Sequence, residues 1–480
     1  MSRSPPIHQR NLISRRPAKR EGPQQQLDHQ LQQGLALHQQ GQLAAAKSIY
    51  EAILKVNAKH FDALHFLGVI NSQNKNSQAA VDLIDKAILI NPNVAAAYIN
   101  RGNAQQELMQ WHAAVESYDK AIRIKPASAE AYYNRGVALK ELKQLVSAIA
   151  SFDKAIFIKP TLADAYWNKS LALLLAGKFS EGYKFYEWRW KSETFKLRHP
   201  NFQRPLWLGL ESLKDKTILL HCEQGLGDTI QFCRYAKLLN VLGARVILVV
   251  QKPLLQLLSN LEGIHQLIEK DSVSPDFDYH CPLMSLPLAF KTTIESIPCY
   301  GPYLYARKDK IEKWAGFIGG AGFKIAICWQ GSKEGKVDIG RSFPVSLFAD
   351  IANIVGVRLI SIQMNAGVEQ LECLPKGMKV ETLPEDFDIG DNAFLDTAAV
   401  MKCVDLVISS DTALTHLAGA LGVKTWLPLK YVPDWRWMLD RADSPWYPSV
   451  TIYRQQEIDD WIGVFHEMEQ DLRAVVANKN

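Results

Sequence analysis

The chain has 480 residues, about three domains' worth, of which 47% are hydrophobic and 22% charged. That composition is globular and excludes wholesale disorder, a collagen-like fibre and a disulfide-stapled miniature. A net charge of +5 over 55 basic and 50 acidic residues is too slight for a dedicated nucleic-acid binder, which concentrates positive charge on one face.

Residues 1–25 read as a basic, disordered tail. Arg3, Arg10, Arg15, Arg16, Lys19 and Arg20 stand there without an acid among the first twenty positions, and no apolar segment follows as a secretory signal requires. A weak tether to an anionic surface is the alternative reading. No apolar run approaches the roughly 18 residues of a membrane span; stretches such as Leu171–Ala176 are far too short. The seven cysteines (Cys222, Cys233, Cys281, Cys299, Cys328, Cys373 and Cys403) are odd in number and form no CxxC. Buried, reduced thiols in a cytoplasmic protein are expected, with no metal site from zinc-ligand spacing.

From about residue 26 to 195 a 34-residue period runs through the chain. Gly34, Gly68, Gly102 and Gly136 share one column, and Ala46, Ala80, Ala114 and Ala148 a second. Tyr50, Ile84, Tyr118 and Phe152 form a third; Ala87, Ala121 and Ala155, then Pro92, Pro126 and Pro160, complete the phase. Small residues let two helices approach, an aromatic fills the gap between adjacent units, and proline ends each second helix. The pattern resembles the tetratricopeptide repeat in four clear copies, the first with Ala58 in the proline column. A degenerate capping copy follows over Ala163–Trp190, where Ser170 and Gly182 replace the expected glycine and alanine. Such an array implies a concave surface that takes a protein or peptide. Asn100, Asn134 and Asn168, also 34 apart, would form a ladder able to bond a peptide backbone; a solvated polar face is the alternative.

Beyond the repeats, β-rich runs alternate with helical ones. Strands are expected at Thr217–Leu220, Val246–Val250, Ile325–Trp329, Leu359–Ile362, Leu406–Ser409 and Thr425–Leu427, with helices over Ile230–Leu242, Pro344–Val355 and Ala393–Cys403. Strand–helix alternation builds parallel sheets. The glycines of Pro302–Gly322 mark a divider, so the expected architecture is an α-helical solenoid followed by two Rossmann-like α/β domains, 196–312 and 313–480, facing a central cleft. Ligands of such sheets sit beyond the carboxyl ends of the strands.

Several segments there carry candidate chemistry. In His221–Arg234 a strand runs into Gly225-Leu226-Gly227-Asp228 and then a helix; the glycines permit close backbone approach to a ligand, with Glu223 nearby. Asp228 is either a base aimed into the cleft or the cap of the helix Thr229–Leu239. In Ile408–Gly422, Asp411 is either an N-cap or a ligand group, the amides of Thr412 and Ala413 suit a phosphate, and His416 lies one turn in, either at the site or simply buried. Gln330, Gly331, Ser332 and Lys333 follow another strand; Lys333 and Arg341 are cationic partners for a diphosphate or solvated charges. Trp426, Tyr431, Trp435, Trp437, Trp446 and Tyr447 offer stacking surfaces for a sugar or base, or a packed subcore. The two DxD tripeptides, Asp276/Asp278 and Asp386/Asp388, are too short to indicate metal.

The GLGD turn, the segments WQGS and RSFP, and SSDTALTHLAGALG together resemble the heptosyltransferase-like glycosyltransferases of GT-B fold, across about residues 216–430. With the repeats, and with YEWRW, EQGLGDTIQF and DWRWM, the chain is similar to bacterial tetratricopeptide-repeat glycosyltransferase-like proteins, whose architecture resembles that of O-linked N-acetylglucosamine transferases. The resemblance implies inverting, metal-independent sugar transfer from a nucleotide-diphosphate donor, without a further cofactor, to a hydroxyl on an acceptor presented by the repeats. Asp228 then stands at the position of the base. Arg341 stands where the family has a phosphate-contacting lysine, and Asp411, Thr412 and His416 fall in the donor motif. Ala413 replaces a frequent glycine. The competing expectation is an interaction scaffold with an inactive glycosyltransferase-like region. The enzymatic reading needs an open crevice; a gap that is collapsed, plugged by bulky residues or lined with acids facing the anion pocket ends that reading and leaves only the helical array.

Overall fold

The computed structural model describes residues 23–192, 202–273, 275–332, 340–390 and 393–477. Residues 1–22 of the expected tail and Lys333 lie outside them. The chain forms two compact units that divide between Ala138 and Leu139.

The first unit holds helices α1 (Pro23–Gln39), α2 (Leu43–Val56), α3 (Phe61–Gln73), α4 (Ser77–Ile90), α5 (Ala95–Glu107), α6 (Trp111–Ile124) and most of α7 (Ala129–Glu141). Helix α1 starts inside the expected tail, because proline suits the first turn of a helix. The periodic columns explain the pairing. A Cβ on Gly34 would lie 2.7 Å from the Tyr50 ring, on Gly68 2.6 Å from Ile84, and on Gly102 2.6 Å from Tyr118. Each large residue therefore fills the hollow over the glycine of its own repeat, not a gap between repeats as expected, and Ala46, Ala80 and Ala114 are fully buried around it. Helices α4 and α6 stop two residues before Pro92 and Pro126, at extended C-caps Asn91 and, by its ψ of 86°, Lys125. Val56 ends α2 in the same way at extended Asn57 without the proline.

A second periodic feature joins neighbouring repeats. Arg101 pairs with Asp85 at 2.9 Å and Arg135 with Asp119 at 2.7 Å, each reaching from a first helix to the preceding second helix. Both aspartates are more than two-fifths exposed, so the pairs fix geometry more than they add stability.

The second unit begins with α8 (Leu145–Ile158), α9 (Ala163–Leu175), α10 (Phe179–Tyr186) and a 3₁₀ turn, Glu187–Lys191. Lys169 and Asp153 repeat the ion pair at 2.6 Å. Two parallel sheets follow. The first comprises β1 (Thr217–His221), β2 (Arg245–Val250), β3 (Gln266–Glu269) and β4 (Tyr279–Pro282), in the order β3-β2-β1-β4. The second comprises β5 (Phe323–Cys328), β6 (Val357–Ser361), β7 (Val380–Glu381), β8 (Leu406–Ser409), β9 (Thr425–Leu429) and β10 (Val450–Arg454), in the order β10-β9-β8-β5-β6-β7. Every recorded strand pairing is parallel. In both sheets the strand order reverses beside the first strand, the place at which open parallel sheets generally bind ligands.

The expected helix Ile230–Leu242 starts earlier and breaks into α11 (Leu226–Phe232), a 3₁₀ turn at Cys233–Tyr235 and Ala236–Val241. Pro344–Val355 likewise resolves into two short turns, Val345–Phe348 and Ala349–Ala352. One apolar cluster joins Leu145, Leu174, Phe179, Tyr183 and Tyr186 of the last repeats to Phe232, Trp435, Trp437 and Trp446 of the α/β region. The helical array therefore does not end as a separate body at residue 195. A second cluster seats the C-terminal helix Trp461–Ala477 on the other face of the second sheet, through Phe343, Phe348, Trp461 and Phe465. Cys222, Cys233, Cys281 and Cys328 are buried as expected, whereas Cys299 and Cys403 are half-buried and Cys373 is exposed.

Candidate functional site

The carboxyl end of β1 turns at Gly225, which occupies the N-cap of α11 in an extended conformation. Asp228, three residues on, reaches back so that its Oδ2 accepts the Gly225 N–H at 2.7 Å. The carboxylate thus caps the helix from its first turn and is not itself the N-cap. Its other oxygen, Oδ1, forms an ion pair with Nη2 of Arg436, and the two side chains are 19% and 7% exposed. Burial raises the Asp228 pKa and Arg436 lowers it, with Asp434 adding to the rise; the net shift is upward.

Arg436 was not among the residues singled out from the sequence, yet it organises this place. Its Nε donates to Gln231 Oε1 at 2.5 Å and its Nη1 to Asp434 Oδ1 at 2.8 Å. It sits in a 3₁₀ turn, Trp435–Trp437, capped by Asp434, whose Oδ1 also takes the Arg436 N–H at 3.0 Å. The sequence points to this region through Trp435 and Trp437 and through the resemblance carried by DWRWM, not through the arginine. That this guanidinium crosses to α11 depends on tertiary packing.

Opposite α11 lies the helix Ala413–Ala420. Its N-cap is Thr412, which accepts from Leu414 N at 3.3 Å, and not Asp411. Burial, and then the neighbouring Asp434, push the Asp411 carboxyl up to about 6. Arg341 donates from Nη1 to the Asp411 carbonyl at 3.2 Å. The Arg341 guanidinium also lies against Gly331, where a Cβ would collide with it, and Gly331 N–H donates to Ser342 Oγ at 3.1 Å. Gln330 is buried; its Oε1 accepts from Gln370 Nε2 at 3.1 Å, and its Nε2 has no partner among the described residues. Ser332 follows Gly331 at the edge of the described chain.

His416 is buried, 3.0 Å from the Tyr447 hydroxyl through Nδ1 and stacked on Trp437 with ring centroids 5.5 Å apart. Burial, then Arg436 and Arg234, hold its pKa well below the usual range, so the imidazole is neutral. A Cβ on Gly227 would lie 2.7 Å from His416 Cδ2 and 3.3 Å from Ala413 Cα. Gly227 thus serves the approach of two helices instead of a ligand. At this point the expected open crevice is filled by protein, and Asp228, Asp411 and Asp434 put three carboxylates around Arg436. Asp228, Gly225, Gly227, Arg341, Asp411, Thr412, Ala413 and His416 do converge, whereas Gln330 turns its side chain toward the loop after β6.

The turn before Asp228 is tied to the last repeat. Arg189, fully buried, grips Glu223 with two hydrogen bonds of 2.8 and 3.0 Å. It also donates to Glu187 Oε1 and Ser285 Oγ, both at 2.8 Å. Gln224 Nε2 donates to the Tyr186 hydroxyl at 3.2 Å. Glu223 is named from the sequence beside the GLGD turn, whereas Arg189 is legible only as a member of YEWRW.

The remaining candidates resolve as follows. Trp426, Trp435, Trp437, Trp446 and Tyr447 are buried, so these rings form a subcore and offer no sugar-stacking face; Tyr431 is half-buried with Lys143 Nζ 3.6 Å over its ring. Asp276 pairs with Arg204, and Asp278 accepts the Thr217 N–H at 2.8 Å. Asp386 pairs with Lys313, and Asp388 accepts the backbone N–H groups of Asp396 and Thr397. In the first unit, Asn100 Nδ2 lies 2.8 Å from His65 Nε2, and Asn134 donates to Asn103 Oδ1 at 2.9 Å. In the second unit, Asn168 donates to the Asp164 carbonyl at 3.0 Å. The three amides are engaged within the protein instead of standing as a freely solvated ladder. Among the described residues, no helix is long and apolar enough to cross a membrane.

Comparison with known proteins bears on the helical part. Models of the tetratricopeptide repeat match residues 31–96 and 129–162, and a TPR repeat model matches 110–143. The chain carries tetratricopeptide repeats, followed by a region of parallel sheets. Protein FlbA of Caulobacter vibrioides is 24% identical over 329 residues, taking in 64% of this chain. That is more than residues 1–195 supply, so the likeness runs into the α/β region. The chain spans about half the length, 54%, of that curated relative. Among solved structures, MamA is 25% identical with a TM-score of 0.32, covering 35% of this chain and 97% of MamA. YrrB, described as a TPR protein with an unusual peptide-binding site, is 17% identical with a TM-score of 0.32, covering 35% of this chain and 87% of YrrB.

Proposed function

We propose that the second unit is a glycosyltransferase of GT-B type that moves a sugar from a nucleotide-diphosphate donor to a hydroxyl acceptor, with a protein or peptide acceptor held by the repeats. One observation carries this reading. At the switch points of two parallel sheets, the Asp228 carboxylate from one sheet's first helix pairs with the Arg436 guanidinium that follows β9 of the other, while Arg341 holds the Asp411 carbonyl ahead of the Ala413–Ala420 helix start. Asp228 would take the proton of the acceptor hydroxyl while the acceptor oxygen bonds to the anomeric carbon on the face opposite the leaving group. The bond to the diphosphate breaks with its electron pair passing to the diphosphate oxygen. Arg341, Arg436 and the amides at the start of Ala413–Ala420 stabilise that growing charge more in the transition state than in the bound donor.

A scaffold with an inactive α/β region is the second reading. It is favoured by the filling of the gap where Gly227 meets His416, by the three carboxylates around Arg436, and by the resting neutralisation of Asp228 by that arginine. Incubating the full chain with a panel of nucleotide sugars, and following release of nucleoside diphosphate, separates the two. The transferase reading expects turnover that Asp228→Asn removes by at least about a hundredfold, the usual contribution of a positioned base. No release with any donor, or undiminished release by the variant, refutes it.

A further inference from the structure

We propose that Arg436 is a diphosphate ligand that the resting protein keeps paired with Asp228, so that an arriving diphosphate displaces the carboxylate and sets it free to act as the base. The inference rests on the transferase reading for its consequence, but on the geometry of one side chain for its substance. All three nitrogens of the Arg436 guanidinium are engaged: Nε on Gln231, Nη1 on Asp434 and Nη2 on Asp228. These partners are not equivalent. Asp434 lies two residues away in the same turn and also takes the Arg436 N–H, so it travels with the arginine. Asp228 belongs to α11 of the other sheet, is the more exposed member of its pair, and is held through its other oxygen by Gly225 N–H whether or not the ion pair is closed. It is the separable counter-ion.

A diphosphate suits the exchange. It carries more charge than a carboxylate and accepts charge-assisted hydrogen bonds from a guanidinium as readily, so it can take over the Nη2 that Asp228 holds. A second guanidinium serves the same helix start: Arg341 donates to the carbonyl of Asp411, the residue before the N-cap Thr412. A ligand with two phosphates could therefore engage both cations beside the capped start of the Ala413–Ala420 helix. Loss of the cation strengthens Asp228 as a proton acceptor, because an opposite charge nearby favours the ionised form. The base is thus held in check until the donor is bound, which limits idle hydrolysis.

The test measures binding and not turnover. Inorganic pyrophosphate and the uridine, adenosine, guanosine and cytidine diphosphates are titrated calorimetrically into the full chain, as wild type, D228N, R436K, R436Q and D228N/R436Q. Removing the competing charge should tighten pyrophosphate in D228N by at least about tenfold, or 1.4 kcal/mol, and R436Q should abolish that gain in the double variant. D228N is the deciding protein, since asparagine keeps the shape and the oxygen that accepts Gly225 N–H; R436K controls for the charge if R436Q melts early. Equal affinities in wild type and D228N, or no diphosphate binding in either, overturn the inference. Tightening in D228N without sugar transfer by the wild type leaves it standing and sinks the transferase reading instead.

Discussion

Replacing Arg189 by methionine should be among the most damaging single changes in the second unit. The side chain is fully buried and donates to Glu223 at 2.8 and 3.0 Å, to Glu187 and Ser285 at 2.8 Å, and to the Tyr186 carbonyl at 3.2 Å. Glu223 is 3% exposed and would keep the Met284 N–H at 3.1 Å among its recorded partners. Breaking a buried pair by removing one member costs about 3–5 kcal/mol, because the other charge is stranded. The carboxyl escapes by taking a proton. Burial already raises its pKa against the pull of Arg189, and without the arginine the rise is larger. A raised carboxyl pKa in the folded state penalises folding as pH climbs, so the deficit of Arg189→Met should be small near pH 4 and largest above pH 7. Urea unfolding followed by tryptophan fluorescence, at several pH values, measures this directly. The double variant Arg189→Met/Glu223→Met should recover most of the loss. A deficit below about 1 kcal/mol at pH 7, a deficit independent of pH, or a double variant no better than the single, would each refute the account.

Other consequences follow from single contacts. Gly227→Ala places a Cβ 2.7 Å from His416, which Tyr447 and Trp437 hold in place; overpacking of this kind costs about 1–3 kcal/mol, and an unchanged melting temperature would mean the two helices part freely. Gly102→Ala should cost a similar amount against Tyr118, whereas Gly320→Ala, with nothing within 4 Å, should stay within about 0.5 kcal/mol by the same thermal melts. Asp411→Asn tests the buried acid cluster. A rise from 3.8 to about 6 corresponds to up to about 3 kcal/mol lost on folding once the group is ionised. The penalty is absent below pH 4 and complete above pH 6, so the variant should be more stable than wild type at pH 7–8 and no more stable at pH 4. Equal stability across that range would contradict it.

The repeats were readable because each column answers to one contact: glycine, alanine and the large residue of each copy meet one another within a repeat of two helices. The ion pairs Arg101–Asp85 and Arg135–Asp119 share that period but escaped notice, since exposed charges carry no hydropathy signal. In the α/β region, β1, β2, β5, β6, β8 and β9 announce themselves as apolar runs. Strand β3, Gln266–Glu269, has two apolar residues at a sheet edge, and β4 ends in proline, so neither offers a period to detect. Within the candidate site, Asp228 and Thr412 stand at strand–helix turns, where local signals are strong. Arg436 acts across 208 residues of chain, and Arg189 reaches out of the repeats into the turn after β1, where neither the repeat period nor a local motif pairs it with Glu223. The same limit hid the contact of Gly227 with His416, and with it the filling of the gap.

The last repeat has exchanged one kind of neighbour for another. Upstream copies meet further copies of themselves, so insertion or loss of a whole 34-residue module there replaces like with like. Phe179, Tyr183 and Tyr186 instead press on Trp435, with ring centroids 6.2, 5.9 and 6.3 Å away. Duplication or deletion at that point would leave tryptophan facing a surface that was never shaped for it. Evolution can therefore vary the reach of this protein by counting modules at its amino-terminal side, while the final module is no longer a unit of currency but a fixed wall of the α/β core.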